Sequence, residues 1–453
     1  MDAKKEQEKP AVRMARLLKD KLVPRMVEEG VFGSTWQVQA IEAVPIGGLG
    51  EDHWASTTLS TTLQLVEKNN NAKTRSVALV TKCMLESDCF DGYANPAVLA
   101  DNEVAMYTKI LPFLTRLGDG AGVTLSDLYP KCYFAESNMQ DLLSLTVMQD
   151  LRADGYSLAK SRCVLDKNHV MLSMQAIGRF HAFSYAAKAR CRRELLETMV
   201  PLLRETNFTP AWDEMWGPKV KGPMLRGLTR AEARLKAAKD GDKDRHQRRL
   251  ERLARMRAVA DNAFPVMKAA VAVQEPASVI VHGDFCRNNM AFHYGKAGPD
   301  GPADGVCLFD FQTSRYCSPS VDLSFFIFLN TSAALRAEHW DDLFLEYFGS
   351  LKATLDRLLD GHPIDKDFVM PTLQGVHEDF RRHALMAYVI CSFFLPQMML
   401  PPEEIVDIEE IKETFARDGG EALMASMLDM GGEEATEALA DMVMDFLDRD
   451  LVP

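Results

Sequence analysis

The sequence has no C-x-x-C pair, no excess of positive charge, no internal repeat and no apolar run long enough to span a bilayer. Each absence removes a class of function. The nine cysteines, at 83, 89, 132, 163, 191, 286, 307, 317 and 391, are odd in number and irregularly spaced. That pattern excludes a disulfide framework or a zinc ribbon and predicts free thiols in a reducing compartment. A net charge of -13 argues against nucleic acid as the main partner. The basic run KDRHQRRLERLARMR is interleaved with acidic residues and reads as a solvated charged helix. The most apolar segment, ALMAYVICSFFLPQMML, is shorter than the ~20 residues a membrane span needs, and Pro396 interrupts it, so a buried helix is expected. The opening MDAKKEQEKP is polar, which predicts no secretory signal and a soluble, cytoplasmic protein.

What is present falls into two halves. At 453 residues the chain can bury more than one core. The first 30 residues read as a helix with a polar start. From Trp36 to Leu85 the composition turns to Val, Thr and Leu, with turn clusters at Pro45 to Gly50 and Asn69 to Asn71. That predicts three antiparallel strands, the third carrying Lys82. A helix follows around Asp101 to Leu117, with Asp101 or Asn102 as its cap. DLYPKCYFAES and LLSLTVMQDL read as two more strands. Beyond Leu151 the pattern is helical, except for SVIVHGDF and GVCLFDFQ, expected to pair as a hairpin across the loop HYGKAGPDGPADG. The fold class is therefore α+β. A helical extension (1–31) precedes a β-rich lobe with one helix (32–150) and a large, mostly helical lobe (151–453), with the site in the cleft between lobes.

The polar residues around the second strand group carry the chemistry. Asp284 and Asn289 follow VIV, and Asp310 follows an apolar strand in LFDFQ. A lone Asp commonly caps a turn. Three oxygen-bearing side chains at strand ends suit Mg²⁺ that keeps water and phosphate oxygens in its shell. A carboxylate left off the metal can take or orient the proton of a hydroxyl. Metal, base and a cation on the phosphates are the parts of phosphoryl transfer. Lys82, in an apolar strand, is the candidate cation, and Glu103, on the next helix, its partner; a surface lysine is the plainer alternative.

H-x-D-x-x-x-x-N followed by D-F resembles the motifs of protein-kinase-like phosphotransferases of small molecules, the aminoglycoside phosphotransferases and choline kinases. VHGDFCRNNMAF, LFDFQ, NEVAMYTKILP, VMQDL and IGRFHAFSY, in that order, resemble more closely the ecdysteroid-kinase-like (CHK-kinase-like) family, over roughly residues 40 to 400. The resemblance implies a two-lobed protein-kinase-like fold and ATP with Mg²⁺. It makes Asp284 the catalytic base, Asn289 and Asp310 metal ligands, Lys82 the phosphate lysine and Glu103 its helix partner. Met148, Gln149, Asp150 and Leu151 become the hinge under the adenine. Gly47, Gly48 and Gly50 become part of the turn over the phosphates, while His282 and Asp322 support the catalytic loop. The chain departs from the family at Cys286, usually aromatic, and Gln149, usually Glu. It has no G-x-G-x-x-G and no P-loop.

The acceptor is expected beside FFIFLNTS and the apolar segment ending at Leu400, whose Met and aromatic residues suit a bulky hydroxylated lipid better than a small cation, ordinary helical core being the plainer reading of most of them. The family resemblance implies an ecdysteroid or another hydroxylated steroid or xenobiotic. A choline, ethanolamine or aminoglycoside kinase is the alternative; a choline cage would draw on Trp340, Tyr347 and Asp341. A nucleotide-binding protein without turnover is the non-enzymatic alternative.

Overall fold

The computed structural model describes residues 10–45, 57–84, 95–139, 142–238, 242–401, 404, 414, 417 and 421–452. Helix α1 (Pro10–Leu17) runs through a π-helical turn (Leu18–Leu22) into α2 (Val23–Glu28). Met14, Leu18, Leu22 and Met26 recur every fourth residue and are all buried. Residues so spaced share one helix face.

That face packs on an antiparallel sheet made of β1 (Trp36–Pro45), β2 (Thr57–Glu67), β3 (Asn70–Met84), β4 (Cys132–Met139) and β5 (Leu142–Gln149), in the order β1-β2-β3-β5-β4. Strand β3 lies at the centre. Its Leu79 and Cys83 join Leu59 and Leu63 in the core under α1 and α2. Strand alternation sends Lys82 to the opposite face.

Helix α3 (Pro96–Ala105) continues through a π-helical turn (Met106–Ile110) into α4 (Leu111–Thr115). It begins earlier than the expected Asp101 or Asn102. Asn95 is the cap, its side chain accepting from Val98 N at 3.2 Å, and Pro96 follows it. A proline at the first helical position lacks only an N–H that would have no partner there.

The large lobe contains β6 (Tyr156–Ser157), α5 (Lys167–Glu194), α6 (Pro210–Trp216), α7 (Lys221–Ala237), α8 (Lys243–Asp261) and α9 (Phe264–Val271). Then come β7 (Val279–Val281), β8 (Met290–His293), β9 (Gly305–Leu308) and β10 (Arg315–Cys317). Helices α10 (Ser320–Asn330), α11 (Ala333–Leu359), α12 (Leu373–His383), α13 (Leu385–Met398), α14 (Glu421–Met427) and α15 (Gly432–Asp448) complete it. Helices α5 and α11 pack so closely that a Cβ on Gly178 would lie 2.3 Å from the Tyr347 carbonyl oxygen, so only glycine fits there.

The basic run forms α8, whose buried residues are Leu253, Met256 and Ala260. The apolar segment forms α13, buried along much of its length, with Pro396 in its last turn. No helix among the described residues is long and apolar enough to cross a membrane. The expected hairpin between SVIVHGDF and GVCLFDFQ does not form. The Gly- and Pro-rich loop instead joins β8 to β9, and β7 pairs with β10 in a separate two-stranded sheet. An antiparallel sheet lobe, with α1 and α2 on one face and α3 packed on β4 and β5, thus sits against a helical lobe, the expected two-lobed arrangement.

Candidate active site

Strand β7 delivers its last residue to His282-Gly283-Asp284. Gly283 has φ +87°, and a Cβ on it would lie 2.1 Å from the Thr313 carbonyl oxygen, so the turn requires glycine. The His282 and Gly283 amides donate to the two oxygens of Asp322 at 2.7 and 2.8 Å. Asp322 lies buried in the first turn of α10, where the helix dipole favours a negative charge. His181 Nε2 donates to the same carboxylate at 3.1 Å, and its Nδ1 lies 3.0 Å from the Tyr347 hydroxyl.

His282 is a second support. Its Nε2 bonds the Phe309 carbonyl at 3.0 Å and therefore carries the proton, which leaves Nδ1 to accept from Asp284 N at 3.4 Å. One imidazole thus ties the Asp284 loop to the Asp310 loop. Asn289 Nδ2 donates to Asp284 Oδ2 at 2.8 Å and to the Asp284 carbonyl at 2.9 Å. With its amide hydrogens directed at Asp284, Asn289 offers Oδ1 to an external ligand.

Lys82 reaches across the cleft. Its Nζ lies 2.9 Å from Glu103 Oε1 and 2.7 Å from Asp310 Oδ1. Burial pulls the ammonium pKa down, but the charges of Asp310 and Glu103 outweigh this and hold it above the usual lysine range. Asp310 has φ +65° and ψ +63°, a left-handed conformation that a non-glycine residue adopts only when its surroundings impose it. Burial and then the charge of Asp310 raise the Asp284 carboxyl above the usual range.

Of the hinge residues, Met148 is buried. Gln149 N donates to Lys131 O at 2.9 Å and Asp150 N to Ala78 O at 3.1 Å. The Gln149 side chain links Lys131 N with Asp154, and Asp150 caps the turn Leu151–Asp154 while holding Arg152. Leu151 opens that turn, so its N–H has no partner within it. Gly47, Gly48 and Gly50 lie outside the described residues.

The match to a family decides the class. Residues 50–359 of the 453 match the ecdysteroid kinase-like family. The chain belongs to that family. It is a small-molecule kinase, and a kinase uses a nucleotide as its phosphoryl donor. Lys82, Glu103, Asp284, Asn289, Asp310 and Asp322 all fall inside the matched span, whereas Gly47 and Gly48 precede it.

Two solved structures are similar. One is a protein of Ralstonia eutropha JMP134 assigned to the aminoglycoside phosphotransferases, at 13% identity over 95% of this chain and 98% of that one, TM-score 0.42. The other is the ADP-bound aminoglycoside phosphotransferase APH(2'')-Ib, at 11% identity over 81% of this chain and 99% of that one, TM-score 0.29. No curated protein matches the sequence.

The fold adds a support of this candidate site that sequence reasoning did not single out. Asn330, the last residue of α10, accepts from Arg287 N at 3.0 Å and donates to the Cys163 carbonyl at 2.9 Å, fixing the middle of the loop. Its one signal is an amide closing the apolar run FFIFLN. Cys286 is buried with Sγ 3.8 Å from Asp284 Oδ1, so the residue that departs from the family pattern faces Asp284. The choline cage is not built. Tyr347 is buried against His181, Asp341 is exposed on another face of α11, and the ring of Trp340 already carries the Arg449 guanidinium at 4.1 Å.

Proposed function

We propose that the chain transfers the γ-phosphoryl group of ATP to a hydroxyl of a small apolar molecule, an ecdysteroid or another hydroxylated steroid or xenobiotic. One observation carries this reading: Lys82 bonds both Glu103 and Asp310 while Asp284, bonded to Asn289, stands across from them. Cation, metal-type oxygens and a separate carboxylate occupy one cleft, as phosphoryl transfer requires.

In this reading residues 32–150 hold the nucleotide and residues 151–453 the acceptor, with residues 1–31 as an extension. The Leu151 N–H is the donor left for the adenine edge. Lys82 neutralises the α- and β-phosphates. Asp284 accepts the proton of the acceptor hydroxyl as the oxygen–phosphorus bond forms and ADP leaves.

The donor set fits Mg²⁺. Asp310 and Asn289 Oδ1 are hard oxygens, and the proximity of Asp310 to Asp284 concentrates negative charge that a cation would relieve. Among the described residues no trio of His, Cys, Asp or Glu could enclose a metal, so phosphate and water oxygens would complete the shell. Such an ion would neutralise charge on the transferred group.

The acceptor class rests on what adjoins the loop. Asn288 Nδ2 lies 3.4 Å from Met398 Sδ, which ties the end of α13 to the catalytic loop. Phe393, Phe394, Met398 and Met399 are half-buried there, and Phe394 meets Phe325 of α10 with ring centroids 6.2 Å apart. Adaptable apolar side chains suit a bulky polyol better than a small cation. Free thiols at the eight described cysteines fit a reducing, cytoplasmic setting.

The test is a panel of steroid polyols, plant-type phenols, aminoglycosides, choline and ethanolamine, each incubated with labelled ATP and Mg²⁺. Transfer to a steroid or another apolar alcohol is expected. Transfer confined to choline, ethanolamine or aminoglycosides would contradict the acceptor assignment.

A further inference from the structure

We propose that residues 203–208 form a strap that fixes α3 in the orientation presenting Glu103 to Lys82, with Asn102 as the positioning residue. The proposal rests on the roles assigned above to Lys82 and Glu103.

Asn102 precedes Glu103 on α3 and is fully buried. A buried amide must find partners, and this one takes both from the backbone of a single residue outside its helix. Asn102 Nδ2 donates to Arg204 O at 2.8 Å and Asn102 Oδ1 accepts from Arg204 N at 3.0 Å. The side chain therefore pairs with the backbone as a neighbouring strand would. The preceding residue, Asp101, adds an ion pair to the Arg204 guanidinium.

The other end of the strap is anchored in the large lobe. Glu205 Oε1 accepts from Asn207 N and Phe208 N at 3.0 and 3.1 Å, which stiffens the segment itself. Glu205 Oε2 lies 3.3 Å from Arg315 Nε, and the Arg315 guanidinium sits 5.2 Å from the centre of the Phe208 ring. Arg315 is 6% exposed and lies on β10, whose partner β7 leads directly into His282 and Asp284.

One short segment thus grips α3 on one side and the strand pair under the catalytic loop on the other. Tyr107, one turn beyond Glu103, meets Phe311 edge-on with centroids 5.6 Å apart, so the same helix also touches the Asp310 turn. The large lobe therefore sets where Glu103 points, and the Glu103–Lys82–Asp310 chain is assembled before nucleotide arrives.

A double-mutant cycle between Asn102→Ala and Glu103→Gln tests this, read as kcat/KM for ATP alongside Tm. Each single change is expected to lower kcat/KM about tenfold or more, and the double to lose little beyond Glu103→Gln, because Asn102 acts through Glu103. Tm should fall in both variants that carry Asn102→Ala, since each loses the pairing with the Arg204 backbone. Full losses in kcat/KM that simply add would overturn the strap while leaving the Lys82–Glu103 reading intact. A Glu103→Gln enzyme with normal kinetics would overturn both.

Backbone hydrogen exchange on the unaltered protein covers the case in which Asn102→Ala does not fold. The amides of α3 should be as protected as those of α5 without nucleotide. Protection of α3 that arises only when ATP is added would contradict preassembly.

Discussion

Lys82 carries a charge that an apolar strand cannot bury alone. An unpaired ammonium there would shed its proton or destabilise the fold, so the two carboxylates at 2.9 and 2.7 Å are a condition of its presence. Lys82→Ala should lower kcat/KM for ATP by roughly 10²-fold or more, the loss typical of removing one preorganised electrostatic group. Combined with Glu103→Ala, the losses should be strongly non-additive; additive losses would show that the two side chains do not act together.

A second buried lysine makes a stability prediction. Lys188 on α5 is 2% exposed, with Nζ 2.7 Å from Ser278 O and 3.4 Å from Glu275 Oε2. Burial lowers its pKa from 10.5 to about 8, with Glu275 opposing part of the shift. Between those values the unfolded chain holds a proton that the folded chain has lost. Its contribution to stability therefore rises with pH across that window, by about 3 kcal/mol at most, and is constant below it. The Tm of the protein relative to Lys188→Met should rise from about pH 7.5 to about pH 10. A flat or falling difference would contradict the buried charge.

Among the elements, those with strong local signals were legible and those defined by pairing were not. The five strands of the small lobe follow from β-branched alternation and turn residues, and α13 follows from its apolar length. The start of α3 was misplaced because Asp101 and Asn102 look like caps. Inside the helix they are instead partners of residues 203–208, a contact some 100 residues away. The false hairpin has a similar cause. An apolar run announces a strand but not its partner, and β7 and β8 are only three and four residues long. Gly283 is the element-scale test. Gly283→Ala adds a Cβ against the Thr313 carbonyl at a φ that favours glycine, so it should lower Tm and displace the catalytic loop together. Retained Tm and kcat would show that the turn tolerates a side chain.

At the scale of the whole molecule, the motif order placed every central residue in one cleft, although the strands between them pair differently from expectation. Order was legible because phosphoryl transfer needs particular side chains at strand ends. Their supports were less so, since Asn330 acts through contacts that only folding creates.

The central claim is that Asp284 meets the acceptor hydroxyl while Asp310 and Asn289 face the metal. The direct measurement is kcat, ATP Kd and Tm on a single Asp284→Asn preparation. Asparagine can still accept the Asn289 hydrogen bond through its carbonyl, so the fold should survive. The account predicts kcat down by about 10²–10⁴-fold with ATP affinity and Tm nearly unchanged. Near-normal kcat with a lowered Tm would make Asp284 a structural residue and contradict the account.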